Sequence, residues 1–273
     1  MEQSHSPANH GPSLRPPPPD TGETGPEIVD GAACPYPAWS APQRLRLTVL
    51  GEHPCPYLPG RVAQSRAVWA ERMRPQMYHA MMDAGFRRSG KLIYQPICRG
   101  CRECLPLRVP VQTFRPDKSQ RRCARRNADL VVTHAAPQIS DEKWDLYRRY
   151  IEQWHGRPAE NRESLEQFLY ETPVETLEFT YRDQTGRLLA VGICDLCPSA
   201  LSSVYFYFDP TEASRSLGTF GALHELQFAQ IHQIPYYYLG YWIDRCMSMR
   251  YKAMYQPSEV LHPDNAWRSM QAR

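Results

Sequence analysis

Three cysteines separated by two residues each, Cys98, Cys101 and Cys104 in C-R-G-C-R-E-C, are spaced to hold one soft cation. Thiolates in C-x-x-C spacing reach a single ion from a tight turn, and four of them satisfy tetrahedral zinc or an iron–sulfur cluster. Cys55, in the Pro-rich stretch His53–Arg61, is the candidate fourth ligand. Arg99 and Arg102 are expected to favour the thiolates by lowering their pKa. Reduced, half-buried thiols are the competing reading.

A second group is cationic. Lys118, Arg121, Arg122, Arg125 and Arg126, within DKSQRRCARRNADL, follow i, i+3, i+4, i+7, i+8 and fall on one face of a helix. Like charges so placed repel, so the face costs stability unless a polyanion neutralises it. Phosphate contacts of this kind give affinity and salt dependence without reading sequence. A solvated basic face is the alternative.

A third group is the doublet Arg87-Arg88 in G-F-R-R-S-G. Neighbours in a strand point to opposite sides. One arginine is therefore expected in a cleft, where its fork pairs with a carboxylate, and the other in solvent. Asp244, Arg245, Arg250 and Lys252 stand just past the aromatic run YYYLGYW, at a strand end where α/β sheets place ligands. Arg215–Gly221, RSLGTFG, opens a helix whose N-terminal N–H groups suit an anion. His155 and His224, on expected helices, read as surface or satisfied core residues and not as bases. There is no Ser/His/Asp set and no phosphate-binding P-loop.

The elements that must position these groups follow from pattern and punctuation. Strands are expected at Arg44–Leu50, Leu105–Val111, Asp129–Ala135, Leu177–Tyr181, Leu188–Asp195, Val204–Phe208 and from Tyr236, where Gly240 marks a bulge or close backbone approach. Phe86–Tyr94 reads as a hairpin turning at Ser89-Gly90. Helices are expected at Arg74–Ala84, at Asp117–Asn127 capped by Asp117, at Ser140–Trp154, at Arg162–Tyr170 and at about Ser216–Gln233. Met1–Asp30, with LRPPPPD and few large apolar residues, reads as a disordered tail.

The chain has 273 residues, 42% of them hydrophobic, enough for one large or two small domains. A net charge of +3 gives a weak overall field, so polyanion binding has to come from a local patch. No apolar run approaches the roughly 20 residues that cross a bilayer, and no signal peptide is seen. Nine cysteines, an odd number, point to a reducing cytosol where clustered thiols bind metal or react.

Several of these motifs together carry a resemblance. LGYWI-x-x-C-x-x-M-x-Y-K-A-x-Y-x-P (Leu239–Pro257), G-F-R-R-S-G (Gly85–Gly90) and S-x-Q-R-R-x-x-R-x-N-x-D-L are similar to the signatures of the arginyl-tRNA–protein transferase superfamily, nearest its shorter bacterial, leucyl-transferring branch. The likeness runs from about Pro54 to Trp267. It implies an α+β fold with a GNAT-like acyltransferase core and an N-terminal Cys-containing subdomain. The expected divisions are a tail at 1–30, a Cys/Arg-rich transferase subdomain at 42–135 and a catalytic subdomain at 136–267.

It also implies a cytoplasmic enzyme that moves leucine from leucyl-tRNA to the α-amine of proteins beginning with Asp or Glu, marking them for degradation, with no DNA or membrane partner. Within it, Lys118, Arg121, Arg122, Arg125 and Arg126 would hold tRNA phosphates. Arg87 or Arg88 would pair with the acceptor's acidic side chain, and Asp244 would bind or deprotonate its amine. No cofactor is required for transfer. Eukaryotic relatives carry a C-x-Y-C element implicated in iron–sulfur binding. Here it reads Cys55-Pro56-Tyr57-Leu58, with Leu58 in place of the second cysteine, so Cys55, Cys98, Cys101 and Cys104 stand as a candidate zinc or cluster set. Two alternatives stay open: an arginyl donor, and a coenzyme A–dependent N-acetyltransferase. The latter is weakened because the Arg215-x-x-Gly218 loop has its last glycine displaced to Gly221. A non-catalytic RNA-binding module is the third class.

Overall fold

A computed structural model describes residues 27–30 and 44–270. Of the expected tail, residues 1–26 lie outside the described ones, and Glu27–Asp30 forms a strand, β1, contrary to expectation. It pairs with β2 (Arg44–Val49). A two-residue ribbon, β3 (His53–Pro54) with β4 (Val62–Ala63), interrupts the Pro-rich stretch. After it come β5 (Ser65–Trp69), α1 (Pro75–Asp83), β6 (Arg87–Ser89) and β7 (Leu92–Pro96). The smaller sheet has the order β1-β2-β5-β7-β6, and the β6–β7 hairpin turns at Gly90, whose φ of +59° suits glycine.

The larger sheet begins with β8 (Leu105–Pro110). α2 (Lys118–Arg126), β9 (Val131–Ala135), α3 (Asp141–Arg149) and α4 (Arg162–Leu165) follow. Both α3 and α4 run on as wider-turned π segments, to Trp154 and Tyr170. The chain then makes β10 (Thr176–Arg182), β11 (Leu188–Cys197), β12 (Ala200–Phe208), α5 (Leu217–Ile231), β13 (Tyr236–Trp242), α6 (Met247–Arg250), β14 (Glu259–Leu261) and β15 (Trp267–Ser269). The strand order is β15-β14-β8-β13-β12-β11-β10-β9. This is a mixed sheet: β12 and β13 are parallel, and the other neighbours are antiparallel. A parallel pair needs a crossover, and α5 supplies it.

β12 and β13 pair only over Ala200–Ser202 with Tyr236–Tyr238. Beyond that they part, β12 staying with β11 and β13 with β8. Each bulges where they separate, at Val204 and at Leu239, and a bulge bends a strand away from its partner. α5 lies close on the sheet because Gly221 has no side chain; a β-carbon there would fall 2.1 Å from the Phe206 ring. Leu223, Leu226 and Ala229 of α5 join Phe179, Val191 and Tyr237 in the main core.

The expected boundary at 136 does not separate two sheets. β8 and β9 precede it in the chain, yet both are strands of the larger sheet. α1 lies between the sheets: its Tyr78, Met81 and Met82 share a core with Leu47 and Ile93 on one side and Ala200 and Tyr238 on the other. The cysteine loop is likewise packed against the end of β13, with Cys55, Cys101 and Cys104 around Tyr241, Ile243, Cys246 and Met249.

Candidate active site

The arginine doublet is where the two sheets meet. Period-two alternation does send Arg87 and Arg88 to opposite sides, but neither reaches solvent: they are 6% and 5% exposed. This corrects the expectation of one solvated arginine; β6 lies between two layers instead of at a surface. Arg88 donates from Nε and Nη2 to the two carboxylate oxygens of Asp195, at 2.8 and 2.7 Å. Tyr78 and Thr176 hydroxyls donate to the same carboxylate at 2.7 and 2.9 Å. The pair is fully buried, bidentate and satisfied. Its fork is therefore not available to an incoming carboxylate.

Arg87 is placed differently. Nη1 donates to the Phe86 carbonyl at 2.8 Å, but Nε and Nη2 are buried without an acceptor. The guanidinium sits 5.4 and 5.6 Å from the ring centres of Tyr238 and Tyr241. Beside it is a second buried cation, Lys252, whose Nζ donates to the Tyr241 carbonyl at 2.9 Å. The two converge on Gly240, in the β13 bulge with φ +83°: a β-carbon there would stand 3.4 Å from Lys252 Nζ and 4.0 Å from Arg87 Nε. Burial, reinforced by Arg87, pulls the Lys252 amine down to about 7.

The opposite side of β13 carries an acid. Glu225 of α5 is 1% exposed, and the Tyr237 hydroxyl donates to its Oε2. Its Oε1 has no hydrogen-bond partner and lies against Gly192, where a β-carbon would come within 2.7 Å. Burial raises this carboxyl to about 7, with the Tyr237 hydrogen bond the foremost opposing influence. Glu225 lies under the point where β12 and β13 part. The residues alone contained a signal for it: an acid among Gly221, Ala222 and Ala229, on a stripe of small residues that faces the sheet. Lys252 carried only a positional signal, shared with Arg245 and Arg250, as one of several cations just past the aromatic strand.

α2 is as expected. Asp117 accepts from the Gln120 backbone N–H at 2.8 Å, and Gln120 Oε1 accepts from the Asp117 N–H at 2.9 Å, a reciprocal capping box. Gln120 and Cys123 face inward, while Lys118, Arg121, Arg122, Arg125 and Arg126 are exposed together on the other face. Among the described residues none of the five has a carboxylate partner. α2 is tied to the start of α5: Asn127 donates to the Arg215 carbonyl at 2.9 Å, and Arg126 to that of Ser214. The basic face thus borders the α5 N-terminus, at the edge of the diverging strands. Arg215 itself is engaged by Asp129 at 2.9 and 3.0 Å and by Glu212 at 3.1 Å.

Cys55, Cys98, Cys101 and Cys104 are all half-buried. Burial, with Cys98, Cys55 and Cys101 nearby, pushes the Cys104 thiol up to about 12. The expected lowering by Arg99 and Arg102 is not seen there; both arginines are exposed to solvent, which screens their charge. Cys98 Sγ is occupied by the backbone of Gln64, at 3.5 and 3.6 Å. Among the described residues no group of three or more His, Cys, Asp or Glu side chains is disposed to hold an ion. Asp244 is half-buried in the turn after β13. His224 packs against Phe179, Tyr181 and Phe220. No helix among the described residues is long and apolar enough to cross a membrane.

Residues 53–122 match the family described as "Arginine-tRNA-protein transferase, N terminus", and residues 142–262 the one described as "Arginine-tRNA-protein transferase, C terminus". The chain is 39% identical over 227 residues to the aspartate/glutamate leucyltransferase of Saccharophagus degradans, covering 82% of this chain and 96% of that one. It is 41% identical to the same-named protein of Pseudomonas putida strain W619, covering 80% and 94%. For that of Thiobacillus denitrificans the figures are 37%, 84% and 97%.

Proposed function

The chain belongs to the arginine-tRNA–protein transferase family, and we infer that its reaction is that of the leucyltransferases it matches: leucine passes from leucyl-tRNA to the α-amine of a protein beginning with Asp or Glu. It is an aminoacyltransferase. The observation that carries the reading is identity near 40% along almost the whole length of relatives so named.

The geometry supports a division of tasks around β13. The parting of β12 and β13 after Ser202 and Tyr238 leaves facing backbone groups without strand partners on that side, in the manner of a GNAT-like acyltransferase cleft. Such donors suit the oxyanion formed when an amine attacks the ester carbonyl. The unpaired cations of α2, at the rim of this cleft, would hold the acceptor-end phosphates of the tRNA. Arg87, with two N–H groups unmet, would receive the acceptor's side-chain carboxylate, and Arg88 would position it.

The chemistry then asks little. The donor is an activated ester, and an α-amine with a pKa of about 7.7–8 is partly neutral near pH 7. Aligning the two supplies most of the rate. The C–N bond forms, the C–O bond to the ribose breaks, and the amine proton ends on the ribose oxygen. A carboxylate would relay that proton: the candidates are Glu225, which accepts from the Tyr237 hydroxyl of β13, and Asp244, in the turn that follows β13. The test is transfer to an Asp-initiated peptide from labelled leucyl-tRNA and arginyl-tRNA in parallel. Leucine incorporation is the expected result; arginine incorporation alone would overturn the donor, and neither would overturn the reaction.

A further inference from the structure

Buried charge is normally paired, because an ion removed from water without a partner costs several kcal/mol. Asp195 meets that need for Arg88. Nothing meets it for Arg87 and Lys252: their hydrogen bonds go only to the neutral carbonyls of Phe86 and Tyr241. The tyrosine rings beside Arg87 supply part of a cation's solvation but no counter-charge. The thiols of Cys246 and Cys104 lie near Lys252, but neither is hydrogen-bonded to its ammonium. Two like charges in one dry space also repel each other. With both groups charged the arrangement needs an anion between them; without one the Lys252 amine gives up its proton near neutral pH, and the glycine at Gly240 keeps that space clear of a side chain.

We propose that Lys252 is a specificity-determining residue, and that with Arg87 at the Gly240 bulge it forms a dicationic pocket for the side-chain carboxylate of the acceptor protein's first residue. The proposal rests on the leucyl-transfer reading given above and names the residue that the reading lacks. An acidic side chain brings the missing counter-charge and is held by Arg87 Nε and Nη2 and the Lys252 ammonium. Asn or Gln, of the same shapes, leaves both cations uncompensated and is rejected. Discrimination is thus built into the protein's own unbalanced charge.

The test uses the full chain with Lys252→Met, thermal unfolding, and leucyl transfer to two peptides that differ only in Asp or Asn at the first position. Loss of a cation without a partner predicts a melting temperature at or above that of the unaltered protein. KM for the Asp peptide should rise at least tenfold, kcat should change less than threefold, and the preference for Asp over Asn should fall by a similar factor to the rise in KM. Affinity for leucyl-tRNA should be unchanged. A variant with unaltered KM and preference would overturn the proposal. So would one that unfolds, since the ammonium would then have an internal partner. If the unaltered protein moves leucine to neither peptide, the leucyl-transfer reading falls and the pocket with it.

Discussion

Two adjacent arginines on one three-residue strand are equally buried and opposite in circumstance. Arg88 is met by the Asp195 carboxylate along its Nε–Nη2 edge and by the Gly90 carbonyl at Nη1, and two hydroxyls donate to that same carboxylate. Arg87, one residue earlier, has two N–H groups facing no acceptor and a lysine for a neighbour. One site is complete inside the chain; the other is complete only with something from outside. Burial alone does not distinguish structural from functional charge here, whereas the presence of an internal counter-charge does.

Breaking the completed site should have the largest effect on stability. Asp195→Ala leaves the Arg88 guanidinium stranded between the sheets, and should cost about 3–5 kcal/mol in urea unfolding. A loss under about 1 kcal/mol would erase the contrast with Arg87.

A smaller effect of opposite sign is expected at the incomplete site. Lys252 is charged up to its ordinary 10.5 when unfolded but only below about 7 when folded. The unfolded chain therefore binds the extra proton between those values, and native stability rises with pH across that window. Lys252→Met should stabilise most below pH 7, with the gain fading towards pH 10.5. A gain independent of pH would mean that packing, not charge, is responsible.

Glu225 extends the comparison to the other side of β13 with the sign reversed. Its ordinary 4.5 is raised to about 7 in the folded protein, so native stability falls as pH rises through that interval. Glu225→Gln should be near neutral below pH 4.5 and stabilising above pH 7, while transfer falls at least tenfold. Retained transfer would remove Glu225 from the proton relay.

The least stability change belongs to the exposed cations of α2. Reversing Arg121 and Arg122 to Glu should shift stability by no more than about 0.5 kcal/mol. It should weaken tRNA binding and flatten its log–log salt dependence by roughly 2. An unchanged salt slope would place the tRNA elsewhere.

What was legible in the sequence was local. The cap, the basic face and the boundaries of α2 follow from nine consecutive residues and Asp117, and the structure reproduces them. The alternation of Arg87 and Arg88 was legible too. Which of them was free was not, because the answer lies in Asp195, 107 residues away. β12 was expected from Val204, but it starts at Ala200; Ala200–Ser203 is short and partly polar and is strand only because β11 and β13 flank it. β14 and β15, three residues each, have too little pattern to be seen alone and exist as additions to the β8 edge. The parting of β12 and β13, the feature that makes the cleft, is a relation between strands and has no signature in either.

The Arg88–Asp195 pair has one more consequence. It fastens a strand of the smaller sheet to a strand of the larger one at fixed length. Arg87 is the next residue in the chain, so its reach towards β13 is measured from that fastening. The doublet behaves as an instrument with a built-in zero: one arginine sets the datum, and the other reads the guest against it. A slip of one residue in β6 would exchange the two roles and leave the gauge with nothing to read.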